Sequence, residues 1–168
     1  MSTTNEKDLQ SLLTSFRFSA EPAAEDFLRR IAIRHEKNGI SRTYLYLGRD
    51  DSGSHIVRGF FTLAVKCLSL NERHSIPEGV FEQMNVDRGV AQAFLLGQLA
   101  KADGAEKGFG REMVELAFDL FYKGNGIFGC RVVRLDSKDR LLNYYRSFGF
   151  EPIGKNHNGT LNQMVAII

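Results

Sequence analysis

The chain has 168 residues, of which 43% are hydrophobic and 25% are charged, and its formal net charge is +2. This length fits one globular domain, and so small a net charge does not by itself indicate a nucleic-acid-binding protein. The polar N-terminus is unlike a signal peptide, and no apolar run reaches the roughly 20 residues that a membrane-spanning helix needs. We therefore expect a cytoplasmic protein with residues 1–7 as a loose terminus and 8–168 as a single domain. Cys67 and Cys130 lack metal-ligand spacing, which predicts reduced, mostly buried thiols and no metal site.

The first half of the chain predicts one helix followed by a hairpin. From Pro22 to Asn38, apolar residues recur at helical spacing, and Gly39 supplies the stop. Two strands follow, over 42–48 and 56–70, separated by a turn rich in Asp, Ser and Gly. Residues 71–89 are polar and predict a loop with a short helical turn.

The second half alternates strands and helices. The predicted elements are a buried strand over 91–100, a helix over 111–123 ended by Gly124-Asn125-Gly126, a strand over 130–135, a helix capped by Asp136 that runs to about Ser147, and two strands over 151–155 and 161–168. The order helix, three strands, helix, strand, helix, two strands predicts an α/β (α+β) domain with a mixed sheet.

A glycine-rich turn between the buried strand and the next helix carries the first chemical signal. It reads Lys107-Gly108-Phe109-Gly110-Arg111. A helix N-terminus offers backbone N–H groups without intrahelical partners, and glycines allow an anion to approach them closely. Glu106 opposes this unless it faces solvent. The turn alone is equally compatible with a connection that binds nothing, and it matches neither the Walker nor the dinucleotide fingerprint.

A second motif, Tyr144-Tyr145-Arg146-Ser147-Phe148-Gly149-Phe150, lies about 35 residues downstream. Together with 105–110, it resembles the two signatures of the GCN5-related N-acetyltransferase (GNAT) family. These are Gln/Arg-x-x-Gly-x-Gly/Ala and aromatic-Tyr-x-x-x-Gly-Phe, in that order and at this separation. The resemblance covers roughly 22–168. Ala105 departs from it, because Gln or Arg is usual there, and this predicts that one side-chain contact to a pyrophosphate is missing or is supplied by Lys107 or Arg111.

The resemblance implies a GNAT-like mixed central sheet with flanking helices and a split between two parallel strands, here 91–100 and 130–135. Acetyl-CoA is the implied cosubstrate, without a metal. Its pantetheine arm would pair with main-chain groups of Leu99, Ala100 and Lys101, and its diphosphate would lie on Lys107, Gly108, Phe109, Gly110 and Arg111. Tyr145 matches the general acid for the leaving thiolate when an amine attacks the thioester directly. Asn143 would touch the pantetheine or the substrate. Tyr145 as a packing aromatic and Gly97 as a bulge or a packing residue stay open.

The general base is not readable from the sequence. Glu72, His74, Glu78 and Glu82 lie in the segment expected near the acceptor, whereas His35, His55 and His157 lie on a helix face or in turns. For each of them, a solvated surface or a local hydrogen bond explains the residue as well. Many members of the family use an ordered water instead.

The resemblance implies that the acceptor is a primary amine, whose identity the sequence does not assign. Arg42-Thr43-Tyr44 and the segment 95–100 resemble the bacterial toxin-like branch, whose members acetylate aminoacyl-tRNA and pair with a DNA-binding antitoxin. A basic surface of Arg131, Arg134, Lys138, Arg140 and Arg146 would suit such a substrate, although an ordinary solvated face explains these residues too. A small-molecule or peptide acetyltransferase, a non-catalytic acetyl-CoA-binding module and a homodimer all stay open.

Overall fold

The structure is a computed structural model that describes residues 6–71 and 74–168. The helices are α1 (Glu6–Thr14), α2 (Pro22–Asp26), α3 (Ala32–Lys37), α4 (Glu78–Phe81), α5 (Phe109–Phe128) and α6 (Leu142–Arg146). A π-helical segment (Phe27–Ile31) joins α2 to α3, and a 3-10 turn (Asp139–Leu141) precedes α6. The strands are β1 (Arg42–Arg49), β2 (His55–Ser69), β3 (Val86–Asp87), β4 (Val90–Lys101), β5 (Val132–Ser137), β6 (Glu151–Lys155) and β7 (Asn162–Ile167). Among the described residues, no helix is long and apolar enough to cross a membrane.

The strands of the described ranges form one mixed sheet in the order β1-β2-β4-β5-β7-β6, with β3 paired to β4. The pairs β1–β2, β3–β4, β5–β7 and β6–β7 are antiparallel, whereas β4 and β5 are parallel. The mixed α/β class predicted from the alternation of periodicities is confirmed.

The parallel ladder between β4 and β5 is short. It pairs Phe94 with Val133 and Leu95 with Arg134. Beyond that point, β5 continues to Ser137 in register with β7, while β4 runs on past Leu95. Among the described residues, the parallel pairing therefore involves two residues of each strand.

The chain forms two compact units, and β2, β4 and α5 contribute residues to both. The first unit contains the chain up to Leu63 together with Gln98–Ala117, and the second contains Ala64–Gly97 and Phe118–Ile168. In the first, Phe16 meets Phe60 edge to face, with ring centroids 5.2 Å apart, inside a core built from α1, α2, α3 and β2. In the second, Leu68, Met84 and Val132 belong to a core completed by β4, β6 and β7. The predicted single domain over 8–168 stays a prediction.

Helix α1 is an element that the sequence analysis did not predict. Glu6 and Lys7 belong to it, and the Glu6 carboxylate lies 2.6 Å from the Lys37 ammonium. Glu6 and Lys7 are therefore helical rather than part of a loose terminus, and residues 1–5 of that prediction lie outside the described residues.

Three local predictions were wrong. Gly124 does not end α5, because its missing side chain makes room for the Phe94 ring, and the helix ends instead before Gly129, which has a φ of +70°. Asp136 does not cap a helix, because it is still part of β5. Cys67 is exposed rather than buried, whereas Cys130 is buried as expected.

Candidate functional site

The glycine turn predicted to hold a diphosphate leads into the N-terminus of α5. Gly104 and Gly108 have φ values of +75° and +95°, a backbone region that favours glycine, and a Cβ added at either would meet nothing within 4 Å. Within the described part of the chain, the N–H groups of Lys107, Gly108 and Gly110 have no intramolecular acceptor. Since α5 runs for 20 residues, these donors lie at the positive end of a full helix dipole.

Not every amide of this turn is available to a ligand. The Phe109 N–H donates to the Glu106 carbonyl at 3.3 Å, and the Arg111 N–H donates to the Gly108 carbonyl at 2.8 Å. These bonds stabilise the conformation of the turn. The backbone N–H groups that remain to donate to a bound anion are those of Lys107, Gly108 and Gly110.

Gly59 of β2 allows the first turn of α5 to pack closely against this strand. A Cβ added there would lie 2.7 Å from the Phe109 ring, 2.9 Å from the Met113 sulfur and 3.2 Å from the Ala100 carbonyl oxygen. Tyr46 of β1 packs against the same turn, because its ring meets that of Phe109 edge to face at a centroid distance of 5.2 Å. Burial, reinforced by the Glu112 carboxylate, raises the pKa of Tyr46. The sequence analysis missed Gly59, although a glycine inside a strand is a signal of close backbone approach.

The side chains around the turn favour an anion. The Glu106 carboxylate lies 3.1 Å from the Arg58 guanidinium and is 77% exposed, so it faces solvent and is partly neutralised. Lys107 is exposed, and Arg111 lies 3.3 Å from Glu115, one helical turn along. An anion could recruit both cations, because exposed ion pairs hold their members by only about 1 kcal/mol or less.

The end of β4 is held firmly where the pantetheine arm is expected. The Gln98 N–H donates to the Thr62 hydroxyl at 2.9 Å, and the Ala102 N–H donates to the Arg58 carbonyl at 2.8 Å. The Lys101 ammonium donates to the Ala105 carbonyl at 3.2 Å and so braces the turn. Pairing of a ligand with the main chain of Leu99, Ala100 and Lys101 stays a prediction, as does the role of Gly97.

Tyr145, the predicted general acid, belongs to α6 in the second compact unit. Its side chain is only 8% exposed, and its ring packs edge to face against Phe150, 5.9 Å between centroids. Burial, reinforced by the neighbouring Tyr144, raises the pKa of Tyr145 to about 12. The phenol therefore carries its proton at neutral pH, as a donor must. The ring of Tyr145 also contributes to the hydrophobic core, so the interpretation of Tyr145 as a packing residue stays open as well.

Asn143 is exposed at the start of α6, and its Oδ1 accepts a hydrogen bond from Arg146 at 3.4 Å. Its amide nitrogen, which has no hydrogen-bond acceptor among the described residues, can donate to a ligand.

Two of the candidate bases have local partners. His74 is used at both nitrogens: Nδ1 accepts from the Asn71 N–H at 3.0 Å, and Nε2 lies 2.8 Å from the Gln163 Oε1. His35 meets the Phe27 ring edge to face. The others, Glu78, Glu82, His55 and His157, are exposed, and Glu72 lies outside the described residues.

The five residues of the predicted basic surface differ in exposure. Arg131, Lys138, Arg140 and Arg146 are exposed, and Arg131 donates to the Ile168 carbonyl at 3.0 Å. Arg134 is different, since its side chain is only 17% exposed and lies 3.6 Å from the Asp136 carboxylate.

The mixed sheet, its parallel β4–β5 pair and the strand–glycine turn–helix unit agree with the predicted GNAT-like fold. Scans against protein-family models and against curated proteins find no match. Solved structures do match, and they include KacT, AtaT and a bacterial toxin.

A tyrosine-to-phenylalanine mutant of KacT superposes with a TM-score of 0.72 at 18% identity, over 90% of this chain and 85% of that one. AtaT complexed with acetyl-methionyl-tRNA gives a TM-score of 0.71 at 21% identity, over 89% of this chain and 85% of that one. A structure described as a bacterial toxin gives 0.74 at 18% identity, over 93% and 83%. At these identities, the similarity establishes the fold.

Proposed function

We propose that this chain is an acetyl-CoA-dependent N-acetyltransferase that moves an acetyl group to a primary amine by direct attack. The observation that carries the proposal is the glycine turn, whose backbone N–H groups at Lys107, Gly108 and Gly110 lie at the N-terminus of α5. When bound, acetyl-CoA supplies an activated acetyl group as a thioester. AtaT in complex with its antitoxin AtaR and acetyl-CoA, a fold neighbour of this chain, supports this choice of ligand.

The turn fits a diphosphate for two reasons. Gly108 leaves open space where a side chain would stand, so phosphate oxygens can approach the main chain. Lys107 and Arg111 add the cationic donors that Ala105 does not supply. The main chain of Leu99–Lys101 would align the pantetheine arm, and the amide nitrogen of Asn143 is a further donor.

Tyr145 would donate a hydrogen bond to the departing sulfur. Its pKa is about 12, while an ordinary thiol has a pKa of about 8.5, so complete proton transfer from this phenol would cost about 5 kcal/mol. Tyr145 therefore acts by sharing its proton as the C–S bond breaks, rather than by giving it up beforehand. His74 is committed at both nitrogens, and we propose that an ordered water deprotonates the incoming amine.

Isothermal titration with acetyl-CoA tests the cofactor site. Lys107→Ala should weaken binding by about 10- to 100-fold, the range for loss of one charge-assisted hydrogen bond. Lys123→Ala removes the same charge from an exposed position farther along α5 and should leave the affinity unchanged. The absence of any binding heat at tens of micromolar acetyl-CoA would refute the proposal.

Tyr145→Phe separates an enzyme from a binding module. It should lower turnover by about 100-fold or more while leaving acetyl-CoA affinity intact. Tyr122→Phe, at an exposed tyrosine of α5, is the matched control. Unchanged turnover in Tyr145→Phe would remove the assigned role and favour the packing interpretation.

A second candidate function is acetylation of the amino group of aminoacyl-tRNA by a toxin. The structure of AtaT with acetyl-methionyl-tRNA favours it, as do the exposed cations Lys138, Arg140 and Arg146 of this chain. Fold neighbours also include AtaT with its antitoxin AtaR and a KacTA–DNA complex, so a DNA-binding antitoxin is the partner to seek. Expression should arrest growth, and purified protein should acetylate charged tRNA with a rate that falls steeply with salt. Acetylation of small amines alone would reject this candidate and leave the broader proposal standing.

A further inference from the structure

A polar cleft of about 450 Å³ opens in the second compact unit. Its wall includes Cys67 of β2, Arg134 and Asp136 of β5, Lys155 and Asn156 at the end of β6, and Gln163 of β7. The sequence analysis did not predict this cleft, and the proposed function does not use it.

Arg134 is fixed on the wall of the polar cleft. One guanidinium nitrogen, Nη1, donates to the Cys67 carbonyl at 3.0 Å, and Nη2 lies 3.6 Å from the Asp136 carboxylate. The Nε atom is buried and has no hydrogen-bond partner among the described residues. A buried donor without an acceptor is rare in folded proteins, and the groups that Arg134 can offer to the cleft are those of Nη1 and Nη2.

Gln163 presents the donor end of its amide to the polar cleft, and the orientation follows from the backbone. The Asn71 N–H can only donate, so the Nδ1 atom of His74 must accept, and the ring proton then resides on Nε2. Nε2 in turn donates to the Gln163 Oε1 at 2.8 Å. With its oxygen used in this way, Gln163, which is 6% exposed, has its NH2 group left for the cleft.

The Asn156 amide is oriented in the same way. Its Oδ1 accepts from the backbone N–H groups of Thr160 and Leu161, at 3.1 and 3.2 Å. Its NH2 group is therefore the end that remains for the polar cleft. In both Gln163 and Asn156, the amide oxygen is occupied and the NH2 group is left to donate. Backbone N–H groups occupy the oxygen of Asn156 directly, and the Asn71 N–H acts on Gln163 through His74.

We infer that the polar cleft binds an anionic oxygen group, a phosphate or a carboxylate, of a small ligand. Arg134, Lys155, Gln163 and Asn156 supply donors from four positions of the wall, and charge-assisted hydrogen bonds of this kind are the strong ones. The carboxylate of the wall, Asp136, is already turned to the Arg134 guanidinium.

The charges around the polar cleft support an anion over a cation. Arg134 and Lys155 face the single negative charge of Asp136 on the described wall. Lys155 lies 3.2 Å from Asp139, but that carboxylate is 81% exposed and holds the ammonium only weakly. His157 adds a further imidazole to the wall.

NMR titration with inorganic phosphate and, separately, with acetate tests the inference. Either anion should shift the side-chain signals of Gln163 and Asn156 in a saturable way, with a dissociation constant of about 1–10 mM. Saturation by phosphate alone identifies a phosphate site, and saturation by acetate identifies a carboxylate site. The backbone signals of Gly108 and Gly110 report separately on phosphate at the glycine turn, so a failure of the proposed function is distinguishable from a failure here.

Asn156→Asp is the decisive variant. The new carboxylate keeps one oxygen for the two backbone N–H groups and turns the other, now negative, toward the polar cleft, so anion affinity should fall about tenfold or more. Asn38→Asp makes the same change of charge at an exposed position of the first compact unit and should leave the affinity as it is. No saturable shift at about 50 mM of either anion, well above the expected dissociation constant, overturns the inference. Equal affinity in the two variants overturns it as well.

Discussion

Replacement of Gly59 by alanine tests how the glycine turn is held. The added Cβ would lie 2.7 Å from the Phe109 ring, 2.9 Å from the Met113 sulfur and 3.2 Å from the Ala100 carbonyl oxygen. The ring and the thioether can move, but the carbonyl belongs to β4, which is fixed by its neighbours. Overpacking of this kind costs about 1–3 kcal/mol, and the smaller backbone entropy of alanine returns about 0.5–1 kcal/mol. The midpoints of these two ranges give an expected net loss of about 1 kcal/mol.

Urea denaturation followed by circular dichroism measures this loss, and titration with acetyl-CoA measures its effect on the turn. Because Phe109 is the first residue of α5, its displacement should also weaken acetyl-CoA binding. Gly126→Ala is the control, since a Cβ at Gly126 meets nothing within 4 Å and should raise the free energy of unfolding by about 0.5–1 kcal/mol. If Gly59→Ala is as stable as the parent chain and binds acetyl-CoA equally well, the packing of Phe109 and Met113 against Gly59 does not position the glycine turn.

Two further predictions concern packing and pH. Gly124→Ala should lower the free energy of unfolding by about 1 kcal/mol relative to Gly126→Ala, because its Cβ would lie 2.9 Å from the buried Phe94 ring; equal stabilities in urea would contradict this. Since the pKa of Tyr145 rises from about 10 in the unfolded chain to about 12 when folded, its stabilising contribution is complete below pH 10 and is lost as the pH rises through 12. The free energy of unfolding should fall by about 2 kcal/mol more in the parent than in Tyr145→Phe between pH 9 and pH 12, and parallel pH profiles would show that the phenol titrates normally.

The fold could be predicted because its elements have strong periodicities. The stripe of apolar residues in α5 and the apolar run of β4 are local patterns, and they place the glycine turn between them without reference to the rest of the chain. Boundaries were less predictable, since they depend on contacts distant in sequence. In the sequence, Gly124 is typical of the end of a helix. The structure shows instead that it makes room for the Phe94 ring, which lies 30 residues earlier in the chain.

The cofactor turn and the polar cleft differ in how far the sequence could reveal them. The turn is contiguous, so residue type and spacing are enough to suggest an anion. The cleft draws one or two residues from each of β2, β5, β6 and β7, and no spacing along the chain connects these four strands. One local signal existed, because Arg134 and Asp136 place charges on alternate positions of a strand whose other side chains are buried. Such an alternation marks a polar wall beside an apolar core.

His74 illustrates why residue type alone did not settle the catalytic roles. As a histidine in the segment expected near the acceptor, it was a candidate base, and a base needs a nitrogen lone pair directed at its substrate. The Asn71 N–H takes the lone pair of Nδ1, and Gln163 takes the proton of Nε2. The same two bonds that remove His74 from base catalysis fix the Gln163 amide with its donor end toward the polar cleft. His74 therefore acts as a positioning residue for that cleft.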